Sequence, residues 1–212
     1  TTAGQGKTKY DADVRSELIT SWEAGAELKF FNNRLGVDFA WYKTNAKRQL
    51  MNIPLNNLSG YDNMKVNAGN IQNTGIEIML NARPIETAQF SWDTQLNFSQ
   101  NKSKIIELLP GKPGMQYALG GSDALQVYAV AGGAYGEIWG TKYQRVEEGE
   151  FKGQLLLNES GLPQATSDKH KIGEQQPDFL LGWTNTFNYK NFTLSFLIDG
   201  RFGGDIFSFT NM

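Results

Sequence analysis

Gly4-Gln5-Gly6-Lys7-Thr8 ends like a phosphate-binding loop, in which backbone amides and a lysine cradle a nucleotide. The glycine such a loop needs five residues before Gly6 is Thr1, and neither a strand nor an apolar helix flanks it, so the segment reads as polar loop. His170 is the only histidine and so the natural candidate for a general base. It lies among Ser167, Asp168, Lys169 and Lys171, a solvated setting, and no Gly-x-Ser-x-Gly elbow accompanies it. There is no cysteine, which excludes a thiol nucleophile, a thiolate metal site and a disulfide scaffold. Glu147, Glu148 and Glu150 form an acidic run, but calcium wants more oxygen ligands in a defined loop, so an exposed turn is expected and no metal site. No catalytic constellation remains. The sequence reads as a non-enzyme with no cofactor.

Composition narrows the class further. Of 212 residues, 12% are aromatic and 23 are glycine, which leans toward strands and turns. A net charge of −2 gives no basic footprint for nucleic acid. No apolar run is long enough for a transmembrane helix, although a β-barrel would not show one. The first residues lack an apolar signal segment, so a membrane reading needs a signal removed or lying upstream.

Hydrophobicity alternates with period two in several long stretches, and period two means strands. Leu18, Thr20, Trp22, Ala24, Ala26, Leu28 and Phe30 share one face, with Glu17, Ser21, Glu23, Gly25, Glu27 and Lys29 opposite. After a turn at 31–34, Leu35, Val37, Phe39 and Trp41 alternate with Gly36, Asp38, Ala40 and Tyr42, in a strand running to about Leu50. Residues 51–65 read as a long loop. Thr74, Ile76, Ile78, Leu80 and Ala82 then oppose Asn73, Gly75, Glu77, Asn81 and Arg83. A further short turn leads to Phe90, Trp92, Thr94, Leu96 and Phe98, opposite Ser91, Asp93, Gln95, Asn97 and Ser99. Residues 102–133 look irregular, with a helical turn at Ile105–Leu109. A hairpin is expected over Glu137–Leu157 and loop over 158–177. Phe179–Tyr189 is a strand without a well-defined apolar face. The last strand puts Phe192, Leu194, Phe196 and Ile198 opposite Thr193, Ser195 and Asp199.

These strands run for roughly 9–13 residues, the length that crosses a bilayer, against about 5–6 in ordinary globular sheets. Their connections alternate short and long, as in outer-membrane barrels with short periplasmic turns and long outer loops. The expected fold is all-β: an antiparallel, up-and-down transmembrane β-barrel portion. Four strands occupy 17–101, a long outer-loop region with a hairpin 102–177, and two strands 178–209. Six spanning strands are fewer than the smallest barrels have, and an open edge in lipid is costly, so a larger barrel is implied.

Asn67-Ala68-Gly69-Asn70-Ile71-Gln72-Asn73-Thr74-Gly75-Ile76-Glu77 resembles a run found in SusC-like (RagA-like) TonB-dependent transporters. Trp22-Glu23-Ala24-Gly25 with Phe31-Asn32-Asn33-Arg34-Leu35, Gly136-Glu137-Ile138-Trp139-Gly140, and Asp199-Gly200-Arg201-Phe202-Gly203-Gly204 resemble other segments of that family. The likeness extends from about Glu17 to Thr210. It implies a multi-pass outer-membrane barrel of about 22 strands with a plug domain, which these residues do not contain. It further implies import of glycans or peptides under a SusD-like surface lipoprotein, driven by TonB–ExbB–ExbD.

On this reading Glu23, Glu27, Asp38, Glu77 and Asp93 line the lumen. Trp22, Trp41, Trp92, Phe90 and Phe192 form aromatic girdles against outer-membrane lipid. Tyr61, Tyr117, Tyr128, Trp139 and Tyr143, in outer loops, are candidates for stacking on sugar rings. The rival is a secreted, soluble β-sandwich that binds carbohydrate, in which Trp22 and Trp92 fill a core.

Overall fold

The computed structural model describes residues 7–55, 57–122 and 125–208. Gly4, Gln5, Gly6 and Thr210 lie outside them. Strands follow as β1 (Thr8–Tyr10), β2 (Leu18–Phe30), β3 (Leu35–Pro54), β4 (Asn63–Glu86), β5 (Phe90–Glu107), β6 (Gln116–Gly121), β7 (Leu125–Val130), β8 (Tyr135–Gly140), β9 (His170–Glu174), β10 (Phe179–Tyr189) and β11 (Phe192–Phe202). They form two sheets. The larger is an antiparallel meander ordered β2-β3-β4-β5-β10-β11, the six-stranded up-and-down wall expected from the alternation. The smaller is antiparallel β6-β7-β8-β9.

Register aligns the wall's apolar residues into one face. Across it run Ala26↔Phe39↔Ile78↔Phe98↔Leu181, and Trp183↔Ile198 lies beside them. Among the described residues no second layer covers this face: Trp22 is 71% exposed, Leu194 63% and Phe192 78%. A soluble sandwich would bury these side chains, so the rival reading fails here. Strands β10 and β11 each span 11 residues, the length of a tilted membrane strand. Aromatic contacts mark both margins of the band. At the short-turn end Phe187 stacks on Phe90, Trp92 and Phe196, with centroids at 6.3, 5.6 and 6.2 Å. At the other end Phe179 lies against Phe98 at 5.6 Å and Phe202 at 4.6 Å. The rung Trp22↔Lys43↔Thr74↔Lys102 ends the apolar band with two lysines, a residue type whose apolar stem and charged head suit such a boundary.

Strands β3 to β5 continue past this margin. The 24 residues of β4 span roughly 80 Å at about 3.4 Å each, well beyond a bilayer of ~40–45 Å. Several loop expectations are corrected in this outer half. The loop read over 51–65 shrinks to 55–62, because β3 runs to Pro54 and β4 starts at Asn63. That leaves one side of β4 open above the end of β5, and β1, read as loop, pairs there in parallel, Thr8↔Asn63 to Tyr10↔Lys65. The helical turn at Ile105–Leu109 is instead the end of β5. Ile105 pairs with Ile71 and is wholly buried with Leu108 and Ala129, against Met51, Met115 and Tyr117. Within 102–133, β6 and β7 replace irregular chain, and β9 replaces loop within 158–177. The hairpin read over Glu137–Leu157 forms only in its outer part, where the Val146 amide donates to the Gln154 carbonyl (2.9 Å) and the Leu156 amide to the Gln144 carbonyl (2.9 Å). The start of its first arm, residues 137–140, pairs with β7 and β9 instead, and Arg145↔Leu155 bridges the part that closes around Gly149. Strand β10 has a defined apolar face after all, Leu181, Trp183, Phe187 and Tyr189, interrupted by Asn185.

The Asn67 run has local reasons for its residue types. Asn67 Nδ2 donates to the carbonyls of Arg15 (2.8 Å) and Arg48 (2.7 Å), and its Oδ1 accepts from the Arg15 amide. Opposite one another, Arg48 (φ 59°) and Gly69 (φ 85°) drop out of the ladder in left-handed conformations, where glycine is unstrained. Asn70 accepts from Asn45 at 3.0 Å. Asn67→Ala is expected to cost about 1–3 kcal/mol through the unpaired backbone groups it leaves. Limited trypsin digestion would show it as faster cleavage after Arg15 and Arg48; unchanged cleavage would remove the clamp role.

Candidate functional site

The face opposite the apolar band carries the charges. Register places Glu23, Glu27, Asp38, Glu77 and Asp93 on it, together with Asp199. Lys29 pairs with Glu27 at 2.7 Å, and Arg83 binds Asp93 at 2.6 Å and Glu86 at 3.1 Å near the short turns. Asp38, Glu77 and Asp199 instead ring a concavity of about 660 Å³ around Gly182. The face is polar and rich in carboxylates.

The second sheet docks on this charged side, above the band. The Ile105 amide donates to the Gly133 carbonyl (2.9 Å), and the Gly132 amide donates back to Ile105 (2.8 Å). At its far edge the Asp205 amide donates to the Glu174 carbonyl (2.7 Å), the Glu174 amide to Asp205 Oδ2 (2.9 Å), and Arg201 to the Gln175 carbonyl (2.6 Å). It is thus a roof tied to β5 on one side and to the chain after β11 on the other.

The five loop aromatics do not converge. Tyr61 is half-buried in the 55–62 connection, and Tyr117 packs against the Ile105 core. Tyr128 and Trp139 meet edge to face at 6.1 Å on the roof. Trp139 Nε1 donates to Glu137 Oε2 (3.0 Å), while Glu137 Oε1 accepts from the Ala134 amide (3.2 Å) and from Lys171 (3.0 Å). Glu137 is buried with all of these donors around it, so Trp139 is held as part of the roof's own packing. Burial alone would lower the Lys171 pKa, but hydrogen bonds to Glu137 and Glu174 raise it above the ordinary lysine value. The contribution of this pair is present through neutral pH and fades as pH rises through that elevated pKa. Hydrogen exchange in β8 and β9 is expected to accelerate above about pH 10.5 in the wild type but not in Lys171→Met, measured against a wall amide as reference.

Tyr143 stands apart, 61% exposed, in the segment 141–169 between β8 and β9. This segment is folded by the bridges Tyr143↔Ala165, Arg145↔Leu155 and Leu157↔Pro163. Its concavity of about 920 Å³ brings Tyr143 together with Lys142, Arg145, Glu147, Lys152 and His170. His170 begins β9 and pairs with Gly140. Glu147 lies here without the rest of its acidic run, and among the described residues no group of three His, Asp or Glu side chains is placed to hold a metal ion. The sequence reading missed Lys142, Arg145 and Lys152. Their signal was their spacing around one turn, which was assigned to plain hairpin arms.

Comparison with known proteins agrees with this architecture. Residues 1–199 match the family described as TonB dependent receptor-like, beta-barrel. TonB-dependent receptor P3 of Formosa agariphila is 29% identical, over 93% of this chain and 22% of its own length. TonB-dependent receptor SusC of Bacteroides thetaiotaomicron is 30% identical, over 88% of this chain and 19% of its own. The chain therefore spans about a fifth of the relatives it matches. Among solved structures, the RagAB peptide importer in the 'open-open' state superposes over 91% of this chain and 21% of its own, with a TM-score of 0.70 at 18% identity, a likeness of fold.

Proposed function

The chain belongs to the TonB dependent receptor-like β-barrel family of the outer membrane, and from that membership we propose that it forms part of the wall and outer mouth of a nutrient importer. The solute is an oligosaccharide. A SusD-like surface lipoprotein covers the mouth, and energy arrives from TonB–ExbB–ExbD through a plug domain elsewhere in the protein. The observation that carries this reading is the two-sided wall: an uncovered apolar band with aromatic margins on one face, a hydrated acidic surface on the other, and a folded roof above it. Such a wall separates lipid from an aqueous passage and does no bond chemistry. Peptide import is the second reading, favoured by the likeness of fold to RagAB, itself a peptide importer.

Growth of a deletion strain on single carbon sources tests both. Loss of growth on one class of oligosaccharide, restored by the full-length gene but not in a strain lacking TonB, is the expected result. Loss on peptides alone would favour the second reading. Unimpaired growth on both would end the importer assignment.

A further inference from the structure

We propose that the groove of segment 141–169 binds an acidic polysaccharide through its carboxylate or sulfate groups. This rests on the importer reading and narrows its solute. Three cations, Lys142, Arg145 and Lys152, line one concavity with a single carboxylate, Glu147. The carboxylates of Glu148, Glu150, Glu159 and Asp168 belong to the same segment but not to this lining, so the positive charge is gathered at the concavity itself. Lys7, Lys29, Arg83 and Lys171 sit within ion-pair distance of a carboxylate, while other cations such as Lys102, Lys104 and Arg201 do not. Among the described residues Lys142, Arg145 and Lys152 have no such partner. Like charges gathered in a concavity repel one another, and a bound anion relieves that repulsion.

The groove is built rather than incidental. Arg145 Nη1 donates to the Gly153 carbonyl (2.7 Å), which fixes the guanidinium and leaves its other N–H groups to grip an oxyanion. Gln144 Nε2 donates to the Ala165 carbonyl (2.9 Å), the Lys142 amide to Thr166 Oγ1 (3.1 Å), and Thr166 Oγ1 to the Asp168 carbonyl (2.8 Å), so both walls are tied. The volume of about 920 Å³ exceeds what one small anion fills and lies in the usual range for organic ligands. Besides Val146, the apolar lining is the ring of Tyr143, a flat surface for a pyranose and no slot for an acyl chain. Alternating anionic groups and sugar faces along one polymer meet alternating cations and an aromatic ring.

The test uses the full-length protein purified from outer membranes, with affinity electrophoresis through gels containing polygalacturonate, dextran sulfate, neutral dextran or poly-glutamate. Retardation by polygalacturonate or dextran sulfate but not by dextran is expected, and which of the two acts decides between carboxylate and sulfate. The variant Lys142→Gln/Arg145→Gln/Lys152→Gln should lose at least about tenfold in affinity while still showing a heat-shifted barrel band. Lys152→Arg should retain binding. Equal retardation by dextran, an unchanged triple variant, or stronger binding of poly-glutamate than of either polysaccharide would overturn the proposal. If the triple variant loses binding but the deletion strain grows normally, the importer reading fails and the groove stands. If the strain loses growth on an oligosaccharide but the triple variant binds unchanged, the groove fails and the importer stands.

Discussion

Ile78→Arg is expected to keep the protein out of the outer membrane. Ile78 sits in β4 between Phe39 and Phe98 on the apolar face, midway along that strand's apolar run from Thr74 to Ala82. A guanidinium at that depth meets hydrocarbon on one side and aromatic or aliphatic side chains on the others. Near the midplane of a barrel this costs about 2–4 kcal/mol. The neighbouring position, Glu77, already holds a charge without penalty, because it points to the opposite, hydrated face. The measurement is heat-modifiable migration of the full-length protein in outer-membrane fractions. Ile78→Arg should remove most of the folded band, and Glu77→Arg should leave it. Equal amounts of folded protein for the two would reverse the assignment of faces.

A comparable loss is expected from a single methyl group at Gly75. The Tyr42 ring lies directly across this glycine on the channel side, and its hydroxyl donates to Asn101 Oδ1 at 3.3 Å. A Cβ at position 75 would overlap the Tyr42 ring and come within 2.7 Å of the Gln100 carbonyl oxygen. The ring can swing away, but the carbonyl belongs to the ladder between β4 and β5 and cannot. Overpacking of this kind costs about 1–3 kcal/mol. The unfolding temperature of Gly75→Ala should fall accordingly. Adding Tyr42→Ala should restore part of the loss and not all of it, since the carbonyl clash remains. A Gly75→Ala protein as stable as the wild type would dismiss the ring-on-glycine contact.

The wall was legible because one force wrote it. Each spanning strand has lipid on one side and water on the other, so every second residue reports its face, and the six strands and their two sides follow from Leu18, Trp22, Val37, Ile78 or Phe196 directly. Strand β10 was harder. Asn185 breaks the alternation because its side chain serves a neighbour, accepting from Trp92 Nε1 at 2.9 Å. The roof was not legible for a different reason. Its strands span five or six residues, and β6 to β8 meet their partners at irregular steps, between Ala118 and Gly120 and between Tyr128 and Ala129, so period two never lasts. Its core is borrowed as well: Ile105 belongs to the wall, and nothing local to it announces Ala129 as its partner. The dispersal of the loop aromatics was not legible, because an exposed ring and a packed ring have the same letter. Of the five only Tyr143 is exposed, in a concavity that it shares with Lys142, Arg145 and Lys152.

The joint between β5 and β10 sets an order of assembly. Every other neighbouring pair in the six-stranded meander is consecutive in sequence and can zip from its own turn. Trp92 and Asn185 are 93 positions apart, and the whole roof intervenes. Closing so long a loop costs conformational entropy that local hairpins do not face. The meander β2–β5 and the hairpin β10–β11 should therefore form first as separate blocks, with the seam between them the slow step. Its residues suit a late clasp: Trp92 stacks on Phe187 and bonds Asn185, and Trp183 Nε1 donates to Thr94 Oγ1 at 2.8 Å, all across the seam.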